Sequence, residues 1–267
     1  AHEDVVGNQS MKSWMKLGWL LAAAGLGGCA TAPIGDDGSA MANNPWAIQS
    51  SAARTAAAPI APPGWHHLPF PGKTETRFRY ARKDGRDAIA VQASSSASML
   101  RTKVRIEPVD LAGVRFSWKV PELIAGADLA AREADDSPVR IVLFFEGDRS
   151  RFSPREAMTA ELVRAVTGEE MPYATLMYVW CNRREPGTVI NSPRTTRVRT
   201  LVVESGNRNL NQWLDYERDI RADYQRAFGE APGALLGIGI MTDSDNTRST
   251  AQAWYGPVRL HRAAAKN

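Results

Sequence analysis

Cysteine and histidine are scarce in this chain of 267 residues, which has two cysteines and four histidines. The histidines stand at positions 2, 66, 67 and 261, so no pair has the four-residue spacing of a helical metalloprotease motif. Cys181 is left without a partner if Cys29 belongs to a processing signal, as argued below. These shortages argue against an intramolecular disulfide in the mature chain and exclude a cysteine-based zinc site.

The common catalytic motifs are missing as well. The sequence contains no Gly-x-Ser-x-Gly nucleophile elbow and no glycine-rich phosphate loop. Two carboxylates would serve a glycosidase, but the chain has 29 acidic residues, so no pair stands out. We therefore assign no catalytic residue and favour a non-catalytic protein.

A surplus of charge of one sign is also lacking. The formal net charge is only +4, and the basic residues are interleaved with acidic ones rather than clustered. A nucleic-acid-binding surface needs a basic patch or stripe, so we predict no nucleic-acid partner. A mixed, solvated surface accounts for this charge pattern.

The N-terminal region has the composition of an export signal. Lys12 and Lys16 follow Met11 as a basic start, and the apolar segment 17–28 (LGWLLAAAGLGG) is too short to span a bilayer readily. The segment ends in Leu-Gly-Gly directly before Cys29, which resembles the bacterial lipoprotein signal. The resemblance implies cleavage before Cys29 and attachment of lipid to its thiol. The alternatives are an ordinary secretory signal or a membrane anchor, and both export the chain.

These features divide the region before the fold into two parts. Residues 1–28 are predicted to be an upstream extension and a lipoprotein signal peptide. Residues 29–63 are predicted to be a lipidated cysteine and a disordered tether rich in Ala, Pro and Ser, with a reach on the order of 30 Å. Ala30 stands where an aspartate would resemble an inner-membrane retention signal. We therefore predict a periplasm-facing lipoprotein of the cell envelope, held on the outer membrane through Cys29.

Short stretches of alternating apolar and polar residues, separated by turn signals, begin at Trp65 and predict one β-sandwich domain over residues 64–262, followed by a tail over 263–267. The run at 139–146 (VRIVLFFE) is nearly continuous in apolar residues and is predicted to be a central strand. Asp84 and Gly85 predict a hairpin turn. Strands are predicted over residues 74–80, 87–93, 99–106, 114–120, 139–146, 174–181, 196–204, 212–217, the first half of 235–247, and 251–261.

Two short helices interrupt this pattern. Ser153 and Pro154 predict the start of a helix with apolar residues at helical spacing, among them Leu162 and Val166. A second helix is predicted over residues 220–228, ended by a glycine. Strands and helices do not alternate regularly, which disfavours a doubly wound parallel sheet. The favoured fold is all-β: a jelly-roll-like antiparallel sandwich similar to galactose-binding domains and carbohydrate-binding modules.

Several segments, taken in order, are similar to one bacterial family, domain-of-unknown-function family 3047. They are GWHHLPFPGKTETRF (64–78), FSWKV (116–120), ADDSPVRIVLFF (134–145), YVWCN (178–182), EPGT (185–188), SGNRNLNQW (205–213) and MTDSDNT (241–247). Together they reach across most of residues 64–260. The resemblance implies an envelope-associated β-sandwich, and it implies no activity and no catalytic residues.

Two acidic turns are the first candidate site. Asp243, Asp245 and Asn246 leave a buried strand together, and Asp135 and Asp136 precede the predicted central strand. Calcium takes six to eight oxygen ligands, so it would need both turns side by side at one rim of the sandwich. The alternative is Asx-type turn chemistry without any ion. We keep calcium as a hypothesis for Asp243, Asp245 and Asn246, and no other cofactor is predicted.

Aromatic and arginine side chains are the second candidate set. Exposed tryptophans stack on sugar rings, although most tryptophans on strands belong to the core. Arg140 and Arg199 interrupt apolar strands, so each is expected to meet a carboxylate or to clamp an anionic ligand. The residues predicted to contact a ligand are Trp118, Asp135, Asp136, Arg140, Trp180, Asn182, Arg199 and Trp213.

The leading interpretation is a lipid-anchored envelope protein whose non-catalytic domain binds saccharide or a cell-envelope polymer. One alternative is a carbohydrate-active hydrolase or lyase that uses Asp135, Asp136, Asp243 and Asp245. Another is an envelope scaffold that recruits a protein partner. The sequence does not predict an oligomeric state.

Overall fold

The computed structural model describes residues 64–263. The predicted signal, the lipidation site at Cys29, the tether and most of the predicted tail lie outside the described residues. The described strands are β1 (Trp65–Pro69), β2 (Arg77–Lys83), β3 (Arg86–Ser94), β4 (Ala97–Ile106), β5 (Leu111–Lys119), β6 (Ser137–Phe145), β7 (Ala174–Cys181), β8 (Val189–Asn191), β9 (Val198–Ser205), β10 (Trp213–Asp219), β11 (Leu235–Asp243), β12 (Thr250–Tyr255) and β13 (Arg259–Arg262). The helices are α1 (Pro154–Thr167) and α2 (Ile220–Phe228).

The strands form two sheets. The seven-stranded sheet has the order β1-β4-β11-β6-β7-β9-β8, and the second sheet has the order β10-β5-β12-β3-β2, with β13 also paired to β5. Strand pairs are antiparallel except for β7 and β9, which run parallel. A parallel neighbour requires the chain to return to its starting end, and residues 182–197, including the edge strand β8, make this return. The predicted β-sandwich is confirmed.

The core lies between the sheets and follows the two-residue period of the strands. On β5, Val114, Phe116 and Trp118 point inward, and on β7 Tyr178 and Trp180 do the same. The rings of Phe116 and Tyr178 stack across the interface with centroids 5.8 Å apart. Burying each large side chain of this kind contributes about 1.5–3 kcal/mol, so these inward positions carry much of the fold's stability.

Strand β6 is central, as its apolar run predicts, and it pairs with β11 on one side and β7 on the other. Strand β11 contains Gly239, where a Cβ would lie 2.5 Å from the sulfur of Met99 on β4. The glycine therefore lets Met99 lie against β11 on the outer face of the seven-stranded sheet. This close approach helps to shape the site described below.

The predicted hairpin turn is present, but the predicted last strand is interrupted. Asp84 and Gly85 both have positive φ (52° and 77°), as the predicted hairpin requires. The single last strand predicted over 251–261 is wrong, because the chain breaks at Gly256 and Pro257 into β12 and β13. Pro257 cannot donate to a strand ladder, so the ladder stops there, and Gly256 leaves room for Ser117 Oγ, which would lie 2.0 Å from a Cβ at that position.

Both predicted helices are present, but they differ in how they pack. Tyr224 of α2 is buried and its ring lies 4.6 Å from that of Phe145. In α1 only Ala160 is buried, whereas Leu162 and Val166, two of the apolar residues at helical spacing, are exposed. Within the described residues, neither helix is long and apolar enough to cross a membrane.

Candidate functional site

The two acidic turns meet at one end of the seven-stranded sheet. Strand β6 starts where its antiparallel neighbour β11 finishes, with Ser137 opposite Asp243. This register brings the turn before β6 beside the turn after β11. One carboxylate oxygen from each of Asp136, Asp243 and Asp245 lies within 4.8 Å of the others. The expected juxtaposition of the two turns is therefore present.

Arg140 ties the two turns together from β6. Its Nε donates to Asp243 Oδ1 at 2.8 Å and its Nη2 to Asp243 Oδ2 at 3.0 Å. The same Nη2 donates to Asp135 Oδ1 at 3.0 Å. Arg140 and Asp243 are both buried, and such two-point contact is the strong geometry for a guanidinium and a carboxylate. The expectation that Arg140 meets a carboxylate is confirmed.

Asp136 holds the second turn in place. Its Oδ1 accepts from the Asn246 backbone N at 3.2 Å and from Asn246 Nδ2 at 3.0 Å. Its Oδ2 accepts from Thr247 N at 2.7 Å and from Thr247 Oγ1 at 2.6 Å. Asp136 is 1% exposed, so it shapes the turn and does not face the solvent. This is the Asx-type chemistry that the sequence offered as the alternative to an ion.

The donor set does not fit a calcium ion. Asp245 is paired with Lys73, and Asn246 Oδ1 accepts from Arg194 Nη2 at 3.0 Å. Both oxygens of Asp243 are bonded to Arg140. Protein cations and donors therefore occupy most of the oxygen atoms that calcium would need at about 2.3–2.6 Å. The calcium hypothesis for Asp243, Asp245 and Asn246 is not supported by this arrangement.

Burial governs the electrostatics of this cluster. It raises the pKa of Asp243 to about 6, with Arg140 opposing the shift and Asp136 adding to it. Burial alone would lower the pKa of Arg140, but the charges of Asp243 and Asp135 outweigh it, and the net shift is upward. Arg140 is therefore held as a cation, and Asp243 is mostly ionised at pH 7.

A cleft of about 410 Å³ opens on the outer face of the seven-stranded sheet beside this cluster. This size is typical of small-ligand sites. Its apolar lining includes methionines from β4, β11 and β7 together with the half-buried Phe70. The methionines are Met99, Met177 and Met241, and the charged or amide lining residues are Lys73, Asp135, Arg140, Arg194, Asp243, Asp245 and Asn246.

A second cleft of about 520 Å³ adjoins the first and reaches α1. The two clefts share Arg194, Thr195 and Val198 as lining residues. The second cleft is also lined by Arg155 and Glu156 from α1 and by several hydroxyl groups. We call the two clefts together the outer-face groove.

Three tryptophans are predicted to contact a ligand, and the prediction is wrong for two of them. Trp118 and Trp180 are both 0% exposed in the core, because they share the inward parity of Phe116 and Tyr178. Trp180 Nε1 donates to the Gly206 carbonyl at 2.9 Å, which uses its one polar group inside the protein. Neither tryptophan can offer a face to a ligand.

The remaining predicted contacts lie away from the groove. Asn182 Nδ2 donates to the Ile124 carbonyl at 2.8 Å and lines a separate polar cleft of about 320 Å³. Trp213 lies on the other sheet, where it is half-buried and its Nε1 donates to the Lys83 carbonyl at 3.2 Å. These two residues are therefore not part of the same site as Arg140.

Arg199 does not meet a carboxylate in the described contacts, contrary to expectation. Its Nη1 donates to the carbonyls of Thr196 and Val198 at 2.6 and 3.2 Å, and its guanidinium lies 5.5 Å from the Phe228 ring centroid. Burial, followed by the charge of Arg197, lowers the pKa of Arg199. Because the side chain is only half-buried, carbonyls and an aromatic ring are sufficient partners.

Sequence reasoning missed several lining residues, chiefly Lys73, Arg194 and the three methionines. Alternation along β7 and β11 gave a weak signal for Met177 and Met241, which have the parity opposite to the core. Lys73 and Arg194 lie in loops, and nothing in their local sequence connects them with the acidic turns. Only the tertiary fold brings them together.

The largest cleft among those described here, about 600 Å³, lies on the other sheet and is a weaker candidate. Four of its six charged lining residues form exposed pairs, Arg86 with Asp215 and Arg115 with Glu217, and the other two are Asp87 and Arg259. Exposed pairs contribute little energy and do not fix a geometry. The outer-face groove instead combines the buried pair of Arg140 and Asp243 with an apolar floor.

These features define an all-β sandwich protein with one extended candidate ligand groove. The chain belongs to the family described as "Protein of unknown function (DUF3047)", which matches residues 63–259. The resemblance drawn from its sequence segments is therefore confirmed. A comparison with curated proteins found no match.

Comparison with solved structures gave distant likenesses. The xyloglucanase domain of NopAA, a type three effector from Sinorhizobium fredii in complex with cellobiose, is 9% identical with a TM-score of 0.38, over 76% of this chain and 96% of that one. The endo-1,4-β-glucanase CelB2 is 11% identical with a TM-score of 0.36, over 74% and 99%. The mannan-recognising carbohydrate-binding module TmCBM27 is 12% identical with a TM-score of 0.28, over 76% and 90%. At such scores the ligand has to be argued from this chain's own residues.

Proposed function

We propose that this protein is a non-catalytic, lipid-anchored envelope protein whose β-sandwich binds saccharide chains in the outer-face groove. The observation that carries the proposal is the first cleft, where fixed charged and amide groups surround a floor of methionines. The anchor rests on the lipoprotein-like signal before Cys29. Under this proposal, binding occurs at the surface of a membrane.

The groove offers what a sugar ring needs. A pyranose has apolar C–H faces and a rim of hydroxyls, each of which both donates and accepts hydrogen bonds. The first cleft supplies acceptors from Asp135 and Asp245 and donors from Lys73 and Arg194 beside an apolar floor. These groups are already held by one another, so a ligand would order few of them on binding.

The same contacts favour binding over hydrolysis. A glycosidase uses two carboxyl groups at the scissile bond, and one of them must give its proton to the leaving group. Both oxygens of Asp243 are engaged by Arg140, and both oxygens of Asp136 hold the turn. These carboxylates fix the fold, so the hydrolase or lyase alternative receives less support.

A binding measurement tests the proposal. The purified full chain would be applied to a glycan array and to insoluble envelope polysaccharide, and any ligand found would be titrated by calorimetry. Arg194→Ala removes a donor shared by both clefts and should weaken binding about 10-fold, because a charge-assisted hydrogen bond contributes about 1.5–3 kcal/mol. Arg164→Ala, on α1 but outside the groove lining, is the matched control and should bind as wild type.

Two results would contradict the proposal. One is the absence of glycan binding above background; the other is unchanged affinity in Arg194→Ala. Release of new reducing ends from the bound polysaccharide, lost in Asp136→Asn, would favour the hydrolase instead.

The anchor is tested separately. Cys29→Ser in the full chain should move the protein from the membrane fraction to the soluble fraction of the cell envelope, because the thiol that accepts lipid is gone. Cys181→Ser is the matched control, since Cys181 is buried in the sandwich. Retention of Cys29→Ser on membranes would contradict lipid anchoring and leave the groove unaffected.

A further inference from the structure

The second cleft of the outer-face groove has an excess of positive charge. Its lining includes Arg155, Arg194 and Arg197, and the carboxylate in that lining is Glu156. Glu156 is already engaged: it accepts from Thr196 Oγ1 at 2.5 Å, and it lies 3.3 Å from Arg197 Nε. Three guanidinium groups thus line a cleft whose one carboxylate is engaged within the protein, and one of the three, Arg194, also lies 3.6 Å from Asp135 of the first cleft.

Two of the three arginines are held in place by other contacts. Arg197 Nη2 donates to the Arg151 carbonyl at 3.0 Å, and its guanidinium lies 4.6 Å from the Tyr173 ring centroid. Arg194 Nη2 donates to the Arg132 carbonyl at 2.7 Å as well as to Asn246. A guanidinium held in this way keeps its planar fork ready for a carboxylate or phosphate.

The third arginine is exposed, and hydroxyl groups surround the set. Arg155 lies in the first turn of α1 on the solvent side of the cleft. The hydroxyl-bearing lining residues are Ser153, Thr159, Thr175, Thr195 and Thr196. Hydroxyls and arginines together match a sugar ring that carries an anionic group.

Charge therefore changes along the groove. At the first cleft, Asp135, Asp243 and Asp245 balance Lys73, Arg140 and Arg194, whereas in the second cleft Arg155 and Arg197 are added and the one carboxylate, Glu156, is engaged within the protein. We infer that the groove takes an anionic polysaccharide, with a carboxylate or phosphate substituent bound by Arg155, Arg194 and Arg197. The inference rests on the proposed saccharide-binding function and adds the chemical class of the ligand.

The experiment uses two pairs of polymers, and the two members of each pair differ in charge. The full chain would be titrated with polygalacturonate, with the same polymer after reduction of its carboxyl groups, and with dextran and dextran phosphate. Native polygalacturonate should bind at least about 10-fold more tightly than its reduced form, the gain expected from a charge-assisted contact. A gain for dextran phosphate over dextran would identify phosphate as an accepted anion.

A pair of variants locates the effect. Arg155→Gln should lower affinity for the anionic polymer about 10-fold and leave affinity for the reduced polymer unchanged. Arg164→Gln, in the same helix but outside the groove lining, should change neither. An Arg155→Gln protein that binds both polymers as wild type would overturn the assignment of the anion to this cleft.

Failure of the inference can be distinguished from failure of the proposed saccharide-binding function. Equal affinity for the native and reduced polymers, and for dextran and its phosphate, would overturn the inference and leave saccharide binding intact. Absence of binding to all four polymers, with a glycan array also negative, would overturn the proposed function and the inference with it.

Discussion

The ion pair between Arg140 and Asp243 is the most demanding contact at the scale of single residues. Both side chains are almost fully buried, so each ion depends on the other to offset its lost hydration. We expect Arg140→Met to lower the free energy of unfolding by about 3–5 kcal/mol, because it leaves a buried carboxylate without its partner. Urea unfolding followed by circular dichroism measures this change.

The control for this prediction is an exposed pair on the other sheet. Arg86→Met breaks the pair with Asp215 and should cost less than about 1 kcal/mol. The double variant Arg140→Met with Asp243→Leu should recover much of the loss, since the buried carboxylate is removed and Asp135 keeps its contact with Arg194. An equal loss of unfolding free energy in Arg140→Met and Arg86→Met would show that the buried pair is not as isolated from water as its geometry indicates.

The sequence predicts the environment of some individual side chains and not of others. The position of Arg140 within an apolar strand predicts a carboxylate partner, and Asp243 is that partner. The prediction that Trp118 and Trp180 contact a ligand is wrong, because both lie in the core. Alternation along a strand shows only which residues share a face. A two-residue period does not say which face looks toward water, so the choice depended on the packing of the second sheet.

Helix α1 shows the limit of sequence patterns at the scale of elements. Its start follows from local chemistry: Ser153 and Glu156 form a capping box, with Pro154 next to the cap. Its orientation does not follow, because Met158, Leu162 and Val166 are 70%, 63% and 70% exposed. The small Ala160 faces the sandwich instead.

This orientation makes a direct prediction. Leu162→Ser should change the free energy of unfolding by no more than about 0.5 kcal/mol, as is usual for surface positions. Leu143→Ala, on the core face of β6, should cost about 2–5 kcal/mol by comparison. Chemical denaturation of the two variants gives both values. A loss of several kcal/mol for Leu162→Ser would mean that this face of α1 packs against another surface.

Glu156 links the stability of the α1 start to pH. The hydrogen bond from Thr196, with support from the Ser153 backbone and Arg197, lowers the pKa of Glu156 to about 2. Because the folded-state pKa is lowered, the contribution to stability is present above the unfolded pKa of about 4.3 and is lost as pH falls toward 2. We expect Glu156→Gln to remove this part of the pH dependence. Thermal unfolding from pH 7 to pH 2 measures it.

The control for the pH prediction lies in the same helix. Glu161 is exposed and pairs only with Arg164 within α1, so Glu161→Gln should leave the acid limb of the stability curve close to that of the wild type. If the Glu156→Gln curve also follows the wild type at every pH, the Thr196 contact does not stabilise the ionised carboxylate.

At the scale of the whole molecule, the sequence predicted the sandwich and the meeting of its two acidic turns. Both follow from alternation and from turns placed at the ends of buried strands. The parallel pairing of β7 with β9 and the groove did not follow. The groove depends on register, since the Met99 side chain lies against β11 where Gly239, paired with Arg101, leaves room for its sulfur. Contacts of this kind join residues more than a hundred positions apart.

The acidic cluster gives a prediction about the whole fold. A calcium ion bound only to the folded state would add about 2.7 kcal/mol of stability at a concentration 100 times its Kd. Lys73, Arg140 and Arg194 already supply the positive charge that these carboxylates need, so calcium should not raise the melting temperature and a chelator should not lower it. Scanning calorimetry of the full chain with calcium and with chelator measures both. A calcium-dependent rise that disappears in Asp245→Asn would show that the ion displaces Lys73 and that the cluster is a metal site after all.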